Sequence, residues 1–227
     1  MGVSCLASSA WQGSIRRVIG LFIAPLILLG FLAGVVVGRW LRFRANVGEA
    51  LLANTIAAEF RQPHVLLNNV TFQIGNESAQ IDHLLIAESG IFVIETKHYK
   101  GWIFGNPADS RWTQVIYRRK SRFQNPLRQN YGHTKTVQSL FTLPEDAFFP
   151  VVVFTGDAEF KSNLGPNVLK LPQLIPYVSA PRPMLFDERK MAYIVGRIEM
   201  KRMRRSLETD EYHLNSVRRR VAKKALA

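Results

Sequence analysis

The chain has 227 residues, of which 47% are hydrophobic and 21% charged, so it is neither an intrinsically disordered protein nor too short to bury a core. Its single cysteine, Cys5, excludes an intrachain disulfide framework and a metal cluster built from cysteines. The net charge of +13 is concentrated at the two ends: residues 45–160 are nearly neutral, whereas residues 1–44 and 161–227 are basic. Such basic segments suit a polyanionic partner.

An uncharged apolar run, VIGLFIAPLILLGFLAGVVVG, covers residues 18–38. At about 1.5 Å per residue, a helix of this length matches the roughly 30 Å hydrocarbon core of a bilayer. A cleaved signal peptide would have a shorter apolar region and a small-residue cleavage site, and a buried core helix is a third interpretation. This run instead continues into Arg39 and Trp40. We therefore predict a short N-terminal segment, residues 1–17, followed by one transmembrane helix over residues 18–40.

Arginines flank the predicted transmembrane helix unevenly. Two precede it, Arg16 and Arg17, and three follow it, Arg39, Arg42 and Arg44. Basic residues accumulate on the cytoplasmic side of a transmembrane helix, so this small excess places the rest of the chain in the cytoplasm. The prediction is a single-pass membrane protein with a cytoplasmic C-terminal domain.

After this helix, the pattern mixes helices and strands. Residues 46–60 are helical in pattern, with Asn46 as a candidate N-cap and Glu49 as its capping-box partner. Several strand-like runs follow, a helix is expected after NPLRQN, and PVVVF is typical of a central buried strand. This order predicts an α/β or α+β fold with a mixed sheet flanked by helices over residues 45–160. Residues 161–227 then form a C-terminal extension with a basic helical tail.

The runs AQIDHLLIA and GIFVIETK are predicted to pair as a β-hairpin. The sequence places a two-residue turn at Ser89 and Gly90. Asp82 then faces Lys97, and the alternation of side chains along a strand places Glu95 on the same face. Asp82 and Glu95 become diagonal neighbours, and two carboxylates at that spacing can share one hard cation. A register shift of one residue would separate them.

These three side chains supply the minimum that metal-assisted hydrolysis of a phosphodiester requires. A cation held by carboxylates lowers the pKa of its bound water and binds a phosphate oxygen, while a nearby lysine positions that water or balances developing charge. The alternative is structural, since an acid and a lysine on neighbouring strands form an ordinary ion pair worth about 0.2–1 kcal/mol. The short motif alone does not decide between these interpretations.

Four ordered motifs carry a resemblance to a known family. They are VGEALL at residues 47–52, AQIDHLLI at 79–86, SGIFVIETKHYKG at 89–101 and QNPLRQN at 124–130. In order and interval, they resemble the nuclease-related domain (NERD), a branch of the PD-(D/E)xK nuclease superfamily, over roughly residues 45–155. The resemblance implies a restriction-endonuclease-like mixed sheet and cleavage of phosphodiester bonds with Mg²⁺ or Mn²⁺ as the cofactor.

The resemblance also implies a role for each matching residue. Asp82 and Glu95 would be the metal ligands, and Lys97 would be the catalytic lysine. Glu49, on the first helix, would be a supporting acid, although its capping-box role is equally open. Gln129 would face the site from the following helix and contact the nucleophilic water or a phosphate.

Other basic and aromatic residues lie outside these motifs. The sequence YRRKSR places four cations near the predicted site, and these either contact phosphates or form a solvated loop: Arg118, Arg119, Lys120 and Arg122. Trp102 and Trp112 are interpreted as packing residues rather than as platforms on which bases stack. The basic C-terminal tail could bind nucleic acid or anionic lipid without sequence preference.

Together, these features predict a membrane-anchored, metal-dependent nuclease that hydrolyses phosphodiester bonds, with DNA a better candidate substrate than RNA. The alternative is a catalytically inactive, membrane-tethered module that binds nucleic acid. The presence of two acids, a lysine and a glutamine in matching positions favours the enzyme, because a binding module does not need the full set. The sequence carries no prediction of oligomeric state.

Overall fold

The computed structural model describes residue 34 and residues 47–225. Residues 45–227 form one compact unit, which is distinct from residues 1–44. Apart from Gly34, the predicted transmembrane helix at residues 18–40 lies outside the described residues. Within the described part of the chain, no helix is both long enough and apolar enough to span a bilayer.

The described residues of this unit form nine strands and five helices. The strands are β1 (His64–Ile74), β2 (Glu77–Ala87), β3 (Gly90–Lys97), β4 (Gly101–Phe104), β5 (Arg111–Ile116), β6 (Arg119–Gln124), β7 (Phe148–Phe154), β8 (Ala158–Phe160) and β9 (Val168–Lys170). The helices are α1 (47–59), α2 (Pro126–Gln138), α3 (Leu174–Val178), α4 (Glu188–Lys201) and α5 (Leu207–Ala225). Short 3₁₀ turns at Glu145–Ala147 and Leu171–Gln173 precede β7 and α3.

The main sheet has five strands in the order β1-β2-β3-β7-β9. The first three strands of this order pair antiparallel, whereas β3, β7 and β9 pair parallel. The centre of the sheet is buried on both faces, which explains why β3 and β7 are continuously apolar rather than alternating. This mixed sheet with flanking helices confirms the predicted α+β architecture.

Helices cover both faces of the main sheet. On one face, α1 packs Leu52 and Ile56 into a cluster with Phe92 of β3. On the opposite face, residues of α2 and α4 close a second cluster around Leu84 and Val93. Because successive residues of β3 point to opposite faces, the position of each residue along the strand decides which helical layer it meets.

Residues beyond 160 contribute to the same unit. β9 extends the main sheet through the pairing of Val168 with Val152. Helix α5 docks on the start of β2, where the Ser78 N–H donates to Ser216 Oγ at 2.9 Å and the Arg220 guanidinium donates to the Ser78 carbonyl at 3.0 Å. The segment predicted as a C-terminal extension therefore supplies a strand and helices to this fold.

A second sheet has four strands in the order β6-β5-β4-β8. Its inner face packs Ile103 and Trp112 into a cluster with Phe154 of the main sheet. Trp112 is fully buried and its indole N–H donates to the Asn106 carbonyl at 2.9 Å, so its predicted packing role is confirmed. The two sheets are therefore joined by a common apolar cluster.

The hairpin between β2 and β3 differs from the predicted one. Its turn residues are Glu88 and Ser89, and Ala87 pairs with Gly90. Gly90 is a strand residue, and a Cβ there would lie 2.6 Å from the Phe149 ring, so this glycine permits the packing of β3 against β7. The predicted turn at Ser89–Gly90 is thus wrong by one residue, and the strand register shifts by two. A shift of two residues leaves every side chain on its predicted face.

One buried amide joins α2 to the centre of the main sheet. The Asn130 side-chain nitrogen donates to the Val93 carbonyl at 2.9 Å and to the Val151 carbonyl at 3.0 Å. Val93 belongs to β3 and Val151 to β7, so a single side chain holds the helix over both central strands. This contact fixes the helix that carries Gln129 with respect to β3.

We expect Asn130→Ala to lower the free energy of unfolding by about 1–3 kcal/mol, because two buried carbonyls lose a hydrogen-bond donor. Chemical denaturation of the full-length chain measures the change. Gly132→Ala is the matched control on the same helix, because open space surrounds its position. That control should stabilise the protein by up to about 1 kcal/mol. Equal and small effects of both substitutions would contradict the role assigned to Asn130.

Candidate active site

The candidate site lies where β2 and β3 separate. The last paired residues of these strands are His83 and Ile94, and the same register places Asp82 opposite Glu95. At this point the Thr96 N–H donates to Asp82 Oδ2 at 2.8 Å, so a carboxylate replaces a backbone acceptor. Asp82 and Glu95 lie on one face of the sheet, as the alternation of side chains predicts.

Lys97 does not face Asp82, so this predicted pairing is wrong. Its ammonium instead forms an ion pair with Glu95 Oε1 on the same strand and donates to Gln129 Oε1 at 3.2 Å. On the other side of the same carboxylate, His133 Nδ1 lies 3.3 Å from Glu95 Oε2. Helix α2 therefore brings two side chains to the end of β3, and Glu95, which is 1% exposed, is at the centre of the group.

Burial and mutual charge shift the pKa values of this group in different directions. Burial, reinforced by the Glu95 carboxylate, raises the pKa of Asp82 well above its usual value. Burial also acts to raise the pKa of Glu95, but the Lys97 ammonium and His133 outweigh it, and the pKa is lowered. Burial acts to lower the pKa of Lys97, but Glu95 and Asp82 outweigh it, and the pKa is raised. Lys97 is therefore held as a cation, suited to donate hydrogen bonds and balance negative charge rather than to accept a proton.

The first turn of α1 lies against the ends of the central strands. A Cβ at Gly48 would lie 2.6 Å from Thr155 Oγ1 and 2.7 Å from His98 Cβ, so only glycine allows the helix to approach this closely. This approach carries Glu49, the next residue, towards the acidic end of β3. The glycine of the VGEALL motif therefore has a packing role that positions its neighbour.

Glu49 is half-buried and in electrostatic range of the other acids. Burial raises its pKa and the Glu95 carboxylate adds to the rise, against a hydrogen bond with the Asn69 side chain and the positive charge of Arg205. Asn69 has a φ of 53° and interrupts the pairing of β1 with β2. The alternative capping role of Glu49 depends on Asn46, which lies outside the described residues.

Three residues near the site are absent from the sequence prediction: Asn69, His133 and Arg205. His133 follows Gln129 by four residues on α2, so the helical repeat places both on one face, and this spacing is a signal that the sequence contains. Asn69 and Arg205 come from β1 and from the connection between α4 and α5. They meet Glu49 only through the tertiary fold, and no local pattern marks them.

The oxygen atoms of the site fit a hard cation such as Mg²⁺. Glu95 Oε2 is buried and makes no hydrogen bond, because His133 Nδ1, although close, lacks hydrogen-bond geometry. In the described part of the chain, no group of three or more His, Cys, Asp and Glu side chains is arranged to hold a metal. The two carboxylates predicted from the sequence as ligands, Asp82 and Glu95, lie opposite each other on the same face. Two carboxylates suit Mg²⁺, which keeps several of its waters and takes further oxygens from a bound phosphate.

The four cations predicted to contact nucleic acid lie on the hairpin of the second sheet. Arg118 is in the turn between β5 and β6, whereas Arg119, Lys120 and Arg122 belong to β6. All four are exposed, and none forms an ion pair with another described residue. Trp102 on β4 is 48% exposed, so it is not the buried packing residue that the sequence predicts.

The part of the chain that builds this site also matches a known family. The model of the nuclease-related domain matches residues 44–155, about half of the chain. Residues 44–155 belong to the nuclease-related domain (NERD) family. The NERD match contains Glu49, Asp82, Glu95, Lys97 and Gln129. It ends at the close of β7, so β8, β9 and helices α3–α5 lie beyond it.

A curated protein of unassigned role also matches the chain. The chain is 41% identical over 121 residues to an uncharacterized protein of Bacillus anthracis. The aligned region covers 53% of this chain and 56% of that relative, so the chain spans about half of the relative's length. No solved structure matches the chain significantly.

His83, next to Asp82, occupies the opposite face of β2 and is 1% exposed. Its Nδ1 donates to Asn68 Oδ1 at 2.7 Å, while Nε2 has no hydrogen-bond partner. Burial lowers the pKa of His83 to about 4. The imidazole is thus neutral in the folded protein at neutral pH, as a core residue rather than part of the acidic site.

We expect His83 to make stability fall with acidification. Between pH about 6.5 and about 4, the unfolded chain binds a proton at His83 that the folded chain does not bind, so the free energy of unfolding decreases. The loss approaches about 3 kcal/mol at pH 4, whereas above pH 6.5 this contribution is constant. Denaturant unfolding of wild type and His83→Gln across this range measures it. Parallel pH profiles for the two proteins would contradict the assignment.

Proposed function

We propose that this chain is a membrane-anchored, metal-dependent nuclease that hydrolyses phosphodiester bonds of DNA. The observation that carries the proposal is the group of Asp82, Glu95, Lys97 and Gln129, with the buried Glu95 at its centre, inside the NERD-matched region. Ordinary surface ion pairs explain neither the burial of Glu95 nor its oxygen without a hydrogen bond. We take the five-stranded sheet to be the restriction-endonuclease-like core that the sequence resemblance implies.

Each side chain has a separate task in this proposal. Asp82 and Glu95 hold Mg²⁺ or Mn²⁺, which, when bound, lowers the pKa of a water molecule and neutralises charge on the phosphate. Lys97, kept protonated by the acids around it, donates to the attacked phosphate or to the nucleophilic water. Gln129 accepts a hydrogen bond from Lys97 and so orients the ammonium group. Glu49 supports the site as a further acid.

The phosphate backbone of the substrate is proposed to contact the basic hairpin. Its four exposed cations, Arg118, Arg119, Lys120 and Arg122, have no acidic partner within the described residues and can neutralise phosphates. Residues 18–40 are proposed to anchor the protein, with residues 45–227 on the cytoplasmic side. Nuclease action would then take place close to the membrane surface.

We expect the full-length chain to cleave labelled DNA with Mg²⁺ or Mn²⁺ and not with EDTA. Glu95→Gln or Lys97→Ala should lower the rate by roughly 10²–10⁴-fold, because each removes a group that acts on the reacting phosphate. The exposed Lys135–Glu145 ion pair, at 2.7 Å, supplies matched controls of the same residue types. Glu145→Gln and Lys135→Ala should cleave like wild type. A parallel RNA substrate tests the preference for DNA.

Three results would contradict this enzyme. Metal-independent cleavage would contradict the metal requirement, and cleavage that survives Glu95→Gln would remove Glu95 from the reaction. Salt-sensitive DNA binding by the wild type without any cleavage would instead identify a tethered binding module. Unfolding curves for each variant separate loss of chemistry from loss of structure.

Membrane anchoring makes a separate prediction. The full-length chain should sediment with membranes and resist extraction by alkaline carbonate, because a bilayer-spanning helix is not released by high pH. Deletion of residues 1–40 should move the protein to the soluble fraction. If the intact chain is extracted by carbonate, the membrane-spanning assignment of residues 18–40 is wrong, while the nuclease proposal is unaffected.

A further inference from the structure

The outer face of the second sheet, which points away from the main sheet's apolar cluster, carries both aromatic and basic side chains. Its strand register places residues in two rows of cross-strand neighbours: Trp102, Val115 and Lys120 in one, and Phe104, Thr113 and Arg122 in the other. The alternation of side chains puts all six on one face, opposite to the buried Ile103 and Trp112. Two aromatic rings and two cations therefore share one surface.

The aromatic residues of this face are not buried by other parts of the described structure. Trp102 is 48% exposed and Phe104 is 38% exposed, whereas Ile103 between them is fully buried. Their Cα atoms, two residues apart on a strand, are separated by roughly 6.6 Å. The inner face already supplies the cluster that joins the two sheets, so the outer rings are not needed for that packing.

The charge on this face is mainly positive. Lys120 and Arg122 are exposed and lack an ion-pair partner among the described residues. The neighbour of Trp102 on β8 is Glu159, a carboxylate that is paired with Lys161. Lys161 Nζ lies 4.9 Å from the centre of the Trp102 ring. The Trp102 ring thus has a cation over it, and the acidic neighbour of Trp102 is already paired with that cation.

We propose that this face, Trp102–Phe104 with Lys120 and Arg122, binds single-stranded nucleic acid. Two unpaired bases stack on the Trp102 and Phe104 rings, and the phosphates between them contact Lys120 and Arg122. This combination of a flat aromatic surface and a basic border is how sequence-tolerant single-strand binding is achieved.

The choice of a single strand follows from the aromatic rings. A base presents its π-face to a protein side chain only when it is unstacked, which a duplex does not allow without disruption. Lys97 of the site and Trp102 are five residues apart, so their Cα atoms lie within about 18 Å. A strand bound on this face therefore leads within a few nucleotides to the candidate active site. The inference rests on the proposed function in taking nucleic acid as the ligand, and it specifies single-stranded regions as the part recognised.

This surface is tested by binding measurements with the full-length chain in EDTA. The labelled probes are oligo(dT), oligo(rU) and a duplex of equal length. Trp102→Ala and Phe104→Ala should each weaken single-strand binding by roughly five- to a hundredfold, the range found for the loss of one stacked base. The loss should be smaller for the duplex. Trp102→Tyr, which retains a stacking ring, should restore most of the affinity, and thermal unfolding verifies that each variant is folded.

The chain offers a matched control outside this sheet. Tyr193 on α4 is 56% exposed and has Lys190 Nζ 5.6 Å from its ring centre, so it reproduces an exposed aromatic beside a cation. Tyr193→Ala should leave single-strand binding unchanged. Lys120→Ala and Arg122→Ala should each reduce the salt dependence of binding by about 0.7 in log–log slope, because one phosphate contact is lost.

Two results would overturn the inference. One is an unchanged single-strand affinity in Trp102→Ala and Phe104→Ala, and the other is an equal loss for single strand and duplex. These failures are distinct from failure of the nuclease proposal. A wild type that binds single strands through Trp102 but never cleaves contradicts only the enzyme, and a wild type that cleaves normally without using Trp102 contradicts only this surface. Binding of either oligo(dT) or oligo(rU) supports the surface, and the tighter of the two identifies the preferred sugar.

Discussion

The whole site depends on keeping the Glu95 carboxylate ionised inside the protein core. An isolated carboxylate in such a position would take up a proton rather than remain charged, because burial penalises the anion by several kcal/mol. The chain avoids this with Lys97, two residues further along the same strand, and with His133 from α2. Lys97 in turn remains charged because Glu95 and Asp82 lie beside it. Glu95 and Lys97 therefore maintain each other's charge, whereas the same Glu95 carboxylate disfavours the charge of Asp82.

This arrangement is possible because β3 is central yet ends at an opening in the sheet. Upstream of Glu95 the strand is paired on both sides and fully buried, which makes its position rigid. At Glu95 the backbone pairing with β2 has ended, and Asp82 contacts β3 through its side chain instead. Elements from both sides of the sheet then converge on this opening. Gly48 allows α1 to approach the strand ends, and Asn130 ties α2 to the backbone of β3.

The second sheet continues directly from this opening, and under the proposed function its arrangement links the site to the substrate. β4 begins at Gly101, shortly after Lys97, so the active end of β3 and the aromatic outer face belong to one short stretch of chain. The acidic site, the exposed basic hairpin and the exposed aromatic pair are the three parts to which the two proposals assign catalysis, phosphate contact and base stacking. Their separation between two sheets keeps the acidic site on the buried strands of the main sheet while the aromatic face stays open to solvent.

The sequence by itself determined three things: which strands are central, that Asp82 and Glu95 share one face of the sheet, and the family. Continuous apolar runs marked β3 and β7 because both faces of these strands are buried, and period-two alternation placed Asp82 and Glu95 together under either register. The order of four motifs pointed to the NERD family without any structural input. Only the tertiary structure decided the turn, because Gly90 is a residue of β3 that packs closely against Phe149 of β7 rather than a turn residue. It also decided the partner of Lys97, the approach of Asn69 and Arg205 to Glu49, and the exposure of Trp102. Each of these depends on residues distant in sequence. A tryptophan has the same local pattern whether the packing of its sheet turns it inward, as for Trp112, or outward, as for Trp102.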